Sequence, residues 1–304
     1  MDRFRVGWIN GFLGVVIFSG SLPATRVAVM DFDPVFLTVA RAVIAALLGI
    51  ALLWLFKEKR PARADVPSLI IVAGGVVIGF PLLTALALRH VTAAHSIVFV
   101  GLLPLATAVF AVVRGDERPP PAFWVFSCLG SAFVVGFAVS TGLSASLVGD
   151  ALMLAAILVC GLAYAEGAKL SRRLGGWQVI SWALVLSLPL MAPLLVITAP
   201  ETLAAVGVPA WMGLAYVSVF SMLIGFVFWY RGLAQGGTAA VGQLQLLQPL
   251  FGLALAAALL GEDVSPAMLV VTVAVVVCVL CAKRVAHPAS ARGVEADLRA
   301  GNSQ

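Results

Sequence analysis

Runs of about twenty apolar residues follow one another along nearly the whole chain, each long enough to cross the roughly 30 Å hydrocarbon core of a bilayer as a helix. Ten such runs can be placed, at roughly 7–25, 34–56, 66–88, 91–113, 121–140, 149–170, 177–198, 208–231, 236–259 and 265–284. Turn and breaker residues fill the gaps: Asp33-Pro34, Lys57 to Pro67, Arg118 to Pro121, Gly175-Gly176, Pro200, Gly236-Gly237 and Gly261 to Pro266. The pattern predicts an all-α integral membrane protein.

Composition excludes the soluble alternative. Charged residues make up 11% of the chain and hydrophobic residues 62%, whereas a soluble surface needs about a quarter of all residues charged. Ten spans use most of the 304 residues, which leaves little for a soluble domain. The first span shows no cleavage site and is expected to stay in the mature protein, with Pro23 interrupting it. Residues 287–304 turn polar and lose periodicity, as a disordered cytoplasmic tail does.

The net charge of +5 does not point to nucleic acid, because the charges mark loops. With the N-terminus inside, 16 of the 19 Lys and Arg residues fall in cytoplasmic segments and only Arg26, Arg41 and Arg89 are left over. Positive residues are retained on the cytoplasmic side during insertion, so both termini are expected there.

An internal repeat organises the spans. Thr92-Ala93-Ala94 leads to Pro104 and then Gly115-Asp116-Glu117, and Thr238-Ala239-Ala240 leads to Pro249 and then Gly261-Glu262-Asp263, at a spacing of 145 to 146 residues. Residues 1–143 and 144–286 then form two units of five helices each. An odd number of crossings inverts the second copy, and inverted repeats supply the two near-equivalent packings behind alternating access to a midplane site. Pro104 and Pro249 sit in equivalent helices, where each removes a backbone hydrogen bond. Such kinks either bend the helix or open backbone toward a cavity.

These residues together resemble the drug/metabolite transporter superfamily and, within it, the EamA family. The resemblance covers nearly the whole chain. It rests on the doubled five-helix unit, on Asp33-Pro34 followed by Arg41, on the two Thr-Ala-Ala to Pro to Gly-acid patterns, and on Gly149-Asp150 opening the sixth helix. It implies a ten-helix basket with a central cavity in a bacterial inner membrane, exporting amino acids or other small metabolites, with the YddG-type amino-acid exporters as the nearest branch. Other metabolites or drugs are the alternative cargo. Many relatives carry a Trp midway along the sixth helix, where this chain reads Cys160-Gly161-Leu162-Ala163-Tyr164.

Polar side chains at membrane depth are costly and tend to mark pathways or helix contacts. Gln245 and Gln248 share a face just before Pro249, and amides suit a zwitterion because they both donate and accept. His95 and Phe99 share a face of the fourth helix, and His95 either contacts substrate, carries a proton or lies at the interface. Tyr164 on the sixth helix, with Tyr216 and Phe220 four apart on the eighth, are candidate cavity walls. Ser218, Ser221 and Gly225 form a small-residue stripe on the eighth helix.

Other residues are expected to be structural. Arg41 is expected to reach outward to Asp31 and Asp33, the alternative being a carboxylate held in the cavity. Asp150 is expected to cap the sixth helix or to act as a favourable partner of its dipole, Glu166 to meet water or Lys169, and Trp229 and Tyr230 to anchor at the interface. Gly7, Gly11 and Gly14, and Gly75 and Gly79, mark close-packing faces where gating motion is expected.

No metal or cofactor is expected. The four cysteines lie in apolar runs, and Cys278-x-x-Cys281 has no accompanying histidine cluster. An intramembrane enzyme would need a nucleophile with its base, paired carboxylates or a metal, yet the chain has three histidines and neither G-x-S-x-G nor H-E-x-x-H. The expected partners are a small-molecule substrate and the lipid bilayer. Function as a monomer is expected, with a dimer left open.

Overall fold

Backbone N–H and C=O groups have no water to bond in lipid, so an apolar run of this length closes its own hydrogen bonds as a helix. A computed structural model describes residues 3–114, 120–140, 146–236, 241, 243–278 and 280–281, and its regular structure is helical throughout these residues. In chain order the helices are α1 Arg5–Ala28, α2 Pro34–Leu55, α3 Arg63–Ala87, α4 Ala93–Val113, α5 Pro121–Ser140, α6 Leu147–Leu174, α7 Gly176–Ile197, α8 Val208–Gln235, α9 Leu247–Leu260 and α10 Pro266–Cys278. Seven of them, α1 to α4 and α6 to α8, are long and apolar enough to cross a membrane.

The side chains are sorted as lipid requires. Ala42, Ala45 and Ala46 on α2 are fully buried, while Leu47 on the same helix is 57% exposed and Leu190 on α7 is 55% exposed. Helices with apolar groups on both sides gain little by hiding them from lipid, so close backbone approach decides which faces meet. A Cβ on Gly161 of α6 would lie 2.7 Å from the Ala106 Cβ of α4, and one on Gly14 of α1 would lie 3.1 Å from the Trp229 amide nitrogen of α8. Gly75 on α3 sits against the Val159 carbonyl and Ala163 of α6, and Gly79 against Val159. Gly11 packs on Val241 and Leu244. The turn from α6 into α7 uses Gly175 at φ +95°, a conformation that favours glycine.

Four of the helices are irregular at matching places in the count of five. The third and the eighth each contain a π-helical stretch, Ala73–Gly79 and Tyr216–Ile224. The fourth breaks at Gly101 and resumes as Leu103–Val113, with Pro104 in the first turn. In the ninth, a 3-10 turn at Gln243–Leu246 precedes Leu247–Leu260, which carries Pro249 as its third residue. Both prolines therefore restart a helix instead of bending one midway, because a missing N–H costs nothing in a first turn.

Some boundaries differ from expectation. α1 runs on to Ala28 and breaks at Gly20, three residues ahead of Pro23. α6 extends to Leu174 and α8 to Gln235. The tail at 287–304, the boundary between residues 143 and 144, Gly115 to Glu117 and Thr238 to Ala240 lie outside the described residues.

Candidate functional site

The break in α1 sets up the interior. Where a helix is interrupted its last carbonyls lose their amide partners, and in a membrane other side chains must replace them. The Ile17 carbonyl accepts from the Tyr216 hydroxyl at 2.8 Å, and the Phe18 carbonyl accepts from Gln248 Nε2 at 3.5 Å. A Cβ on Gly20 would fall 2.5 Å from the Tyr216 hydroxyl oxygen, so glycine is what lets that ring approach. The exposed neighbour Phe220 stacks on Tyr216 at 5.6 Å but is 47% exposed, so it stands apart from the packed interior.

Beside the break, Ser21 and Ser221 share a hydrogen bond of 2.7 Å, and Arg41 Nη2 donates to the Ser221 hydroxyl at 3.4 Å. The outward reach expected of Arg41 is not what the structure has. Asp33 instead caps its own helix by accepting from the Val35 and Phe36 amides at 2.8 and 3.3 Å, and Asp31 accepts from the Gly207 amide at 2.9 Å. Backbone amides, local for Asp33 and from Gly207 for Asp31, engage both acids, and Arg41 is left 5% exposed inside the bundle.

Next to this group lies an aromatic cluster from both halves of the chain. Phe18 meets Phe226 with ring centroids 4.9 Å apart and Trp229 at 6.2 Å, and Tyr164 meets Phe226 at 6.0 Å and Trp229 at 5.9 Å. Trp229 and Tyr230 are 1% and 0% exposed, so the expected interfacial anchoring is overturned. The reason is glycine on the facing helices. Gly14 receives Trp229, while Gly167 and Gly176 receive Tyr230. Gln245 and Gln248 are buried in the same region. Four buried polar atoms here, Trp229 Nε1, the Tyr230 hydroxyl, Gln245 Nε2 and Gln248 Oε1, have no hydrogen-bond partner among the described residues. Buried polar groups are ordinarily paired, so a cluster of exceptions marks a place where something polar can be bound.

A second polar group surrounds the start of α4. His95 Nε2 and Asp150 Oδ1 are 2.7 Å apart, with the imidazole against Phe99 and Phe137 at 5.6 and 5.4 Å. Ser146 caps α6, so of the two roles expected of Asp150 the structure has the second, a negative charge in the first turn that suits the helix dipole. Glu262, from the far end of the chain, accepts from the Ala93 and Ala94 amides at 3.1 and 2.7 Å. The repeated Gly-acid pattern was its only signal in the sequence. Glu166 is buried between Arg114, whose Nε lies 2.8 Å away, and the Ser68 hydroxyl, so water contact is overturned, while the charge of Lys169, the other partner expected of it, does act on the carboxylate.

His95, Phe99, Tyr164, Gln245 and Gln248 are thus all interior, but they divide between the aromatic cluster and the start of α4. An open depression of about 280 Å³ lies elsewhere, against Asp31, Phe32, Phe36, Thr198, Pro200 and Val206.

Residues 5–139 match the EamA-like transporter family, and residues 147–283 match it a second time. The chain belongs to that family. Each match takes in five of the ten helices, so this EamA-like protein is a doubled helical unit and a multi-pass membrane transporter. It is 67% identical to the uncharacterized transporter YdeK of Bacillus subtilis strain 168 over 94% of this chain and 100% of that one. It is 23% identical to an uncharacterized transporter of Archaeoglobus fulgidus over 79% of this chain and 84% of the other. A solved crystal structure superimposes with a TM-score of 0.68 over 93% of this EamA-like chain and 98% of its own, at 18% identity, which speaks to the fold.

Proposed function

We propose that this EamA-like protein is a secondary transporter that exports amino acids or related small metabolites across a bacterial inner membrane by alternating access. The observation that carries the reading is the aromatic cluster with its four unpartnered polar atoms, to which Phe18 comes from the first unit and Tyr164, Trp229, Tyr230, Gln245 and Gln248 from the second. A small zwitterion offers donors and acceptors that match amide, indole and phenol groups, while the rings accept its apolar part.

The two units, taken as residues 1–143 and 144–286, each cross five times and therefore enter the membrane from opposite sides. Both termini lie in the cytoplasm in this reading, as the 16 against 3 distribution of Lys and Arg favours. The π-helical stretches and the restarts at Pro104 and Pro249 are positions where one unit can move against the other. His95, Phe99, Tyr216 and Phe220 are proposed as further contacts along the path, and Gly11, Gly14, Gly75 and Gly79 as its sliding faces.

The test is counterflow of labelled amino acids into proteoliposomes holding the purified protein, with and without a pH gradient, repeated with Gln245→Ala and His95→Ala. We expect accumulation of at least one neutral amino acid and its loss in Gln245→Ala. No flux over a broad panel of amino acids and metabolites would refute the reading.

A further inference from the structure

Arg41 lies seven residues into α2, about 10 Å along the helix axis at roughly 1.5 Å per residue. It is 5% exposed, and among the described residues no carboxylate is within ion-pair distance of it. Its guanidinium offers five N–H donors and stays charged at any physiological pH. One of them reaches Ser221 at 3.4 Å, and its Nε has no partner. The acids nearest in sequence are committed elsewhere, Asp33 to the Val35 and Phe36 amides and Asp31 to the Gly207 amide. A fixed charge buried in a membrane-spanning bundle is expensive unless something opposes it.

We propose that Arg41, Ser21 and Ser221 form an anion subsite that takes the carboxylate of the transported molecule. Transport of that molecule rests on the proposed export function, whereas the subsite rests on the buried guanidinium. An Arg fork matches a carboxylate with two parallel N–H···O bonds. The two serine hydroxyls share one hydrogen between them, which leaves the other free to donate to the same anion. Two of the three side chains stand where backbone is irregular, Ser21 at the α1 break and Ser221 within the π-helical stretch of α8, so a modest shift there admits a ligand. Arg26, on the same half of α1, donates to the Leu88 carbonyl. One fixed cation suits a monoanion, so a carboxylate fits better than a phosphate dianion.

Thermal unfolding of the detergent-purified full chain decides the matter with matched pairs: L-leucine and L-leucinamide, L-phenylalanine and L-phenylalaninamide, hexanoate and hexanamide, with inorganic phosphate alongside. At least one carboxylate is expected to raise the midpoint while its amide does not. Arg41→Gln should abolish the shift, and Arg41→Lys, which keeps the charge without the fork, should weaken it by about tenfold. Should Arg41→Gln fail to fold, the wild-type pairs and Ser221→Ala still decide, the latter with a few-fold weakening expected. Equal shifts from acid and amide, an unchanged shift in Arg41→Gln, no shift from any carboxylate, or phosphate exceeding them all would each overturn the subsite. Carboxylate binding without counterflow of the same compounds would keep the subsite and remove the export reading. Flux of compounds that carry no anionic group would do the reverse.

Discussion

The Tyr216 hydroxyl donates to the Ile17 carbonyl at 2.8 Å, so a side chain of the second unit completes the broken backbone of the first. Tyr216→Phe keeps the ring and deletes the donor. A buried acceptor left unpaired costs about 1–3 kcal/mol in soluble proteins, and interhelical bonds in membranes average nearer ~0.6 kcal/mol. We expect a lowered unfolding midpoint in detergent for Tyr216→Phe and none for Phe220→Leu at the exposed partner ring. Equal midpoints for Tyr216→Phe and wild type would remove the bond from the account.

Glu262 caps α4 through both carboxylate oxygens. Glu262→Ala should cost about 1–2 kcal/mol, the loss of a helix cap and its dipole partner. Hydrogen exchange at Ala93 and Ala94 should accelerate in the variant, and Glu262→Gln should be intermediate because it keeps an acceptor. Unchanged protection at both amides would show that the cap does not hold this helix end.

His95 and Asp150, 2.7 Å apart with side chains 7% and 16% exposed, form the one histidine–carboxylate contact among the described residues. A double-mutant cycle with His95→Ala and Asp150→Ala should give a coupling of about 0.5–3 kcal/mol in unfolding free energy. Additive single effects would mean the contact is incidental.

Gly75 and Gly74 are adjacent in the π-helical stretch of α3 but differ in surroundings. A Cβ on Gly75 would lie 2.4 Å from the Ala163 Cβ and 2.5 Å from the Val159 carbonyl oxygen, while one on Gly74 would meet nothing within 4 Å. Gly75→Ala should destabilise by about 1–3 kcal/mol through overpacking, and Gly74→Ala should be neutral or stabilising by up to about 1 kcal/mol. Thermal unfolding of the two variants side by side separates packing from backbone flexibility, and the same loss in both would argue for flexibility.

The helices and their doubling could be read from the sequence because both depend on composition repeated over long stretches. Apolar runs announce spans, and the match of Gly115-Asp116-Glu117 to Gly261-Glu262-Asp263 announces the copy. What a particular side chain touches could not be read in the same way. Proximity in sequence pairs Arg41 with Asp33, but the Val35 and Phe36 amides at the helix start compete for that carboxylate and win. Trp229 and Tyr230 lie near a helix end where aromatic belts are common, and their burial depends on Gly14, Gly167 and Gly176 from three other helices. The π-helical stretches left no trace in hydrophobic periodicity. They follow from how neighbouring helices pack, which no local pattern encodes.

The carboxylate that closes the start of α4 arrives 168 to 169 residues after the amides it binds. During synthesis those two amides must therefore wait for this partner until the ninth helix has been made. A severed first half, made alone, would carry the same open helix end, and supplying the second half in trans is the natural way to close it.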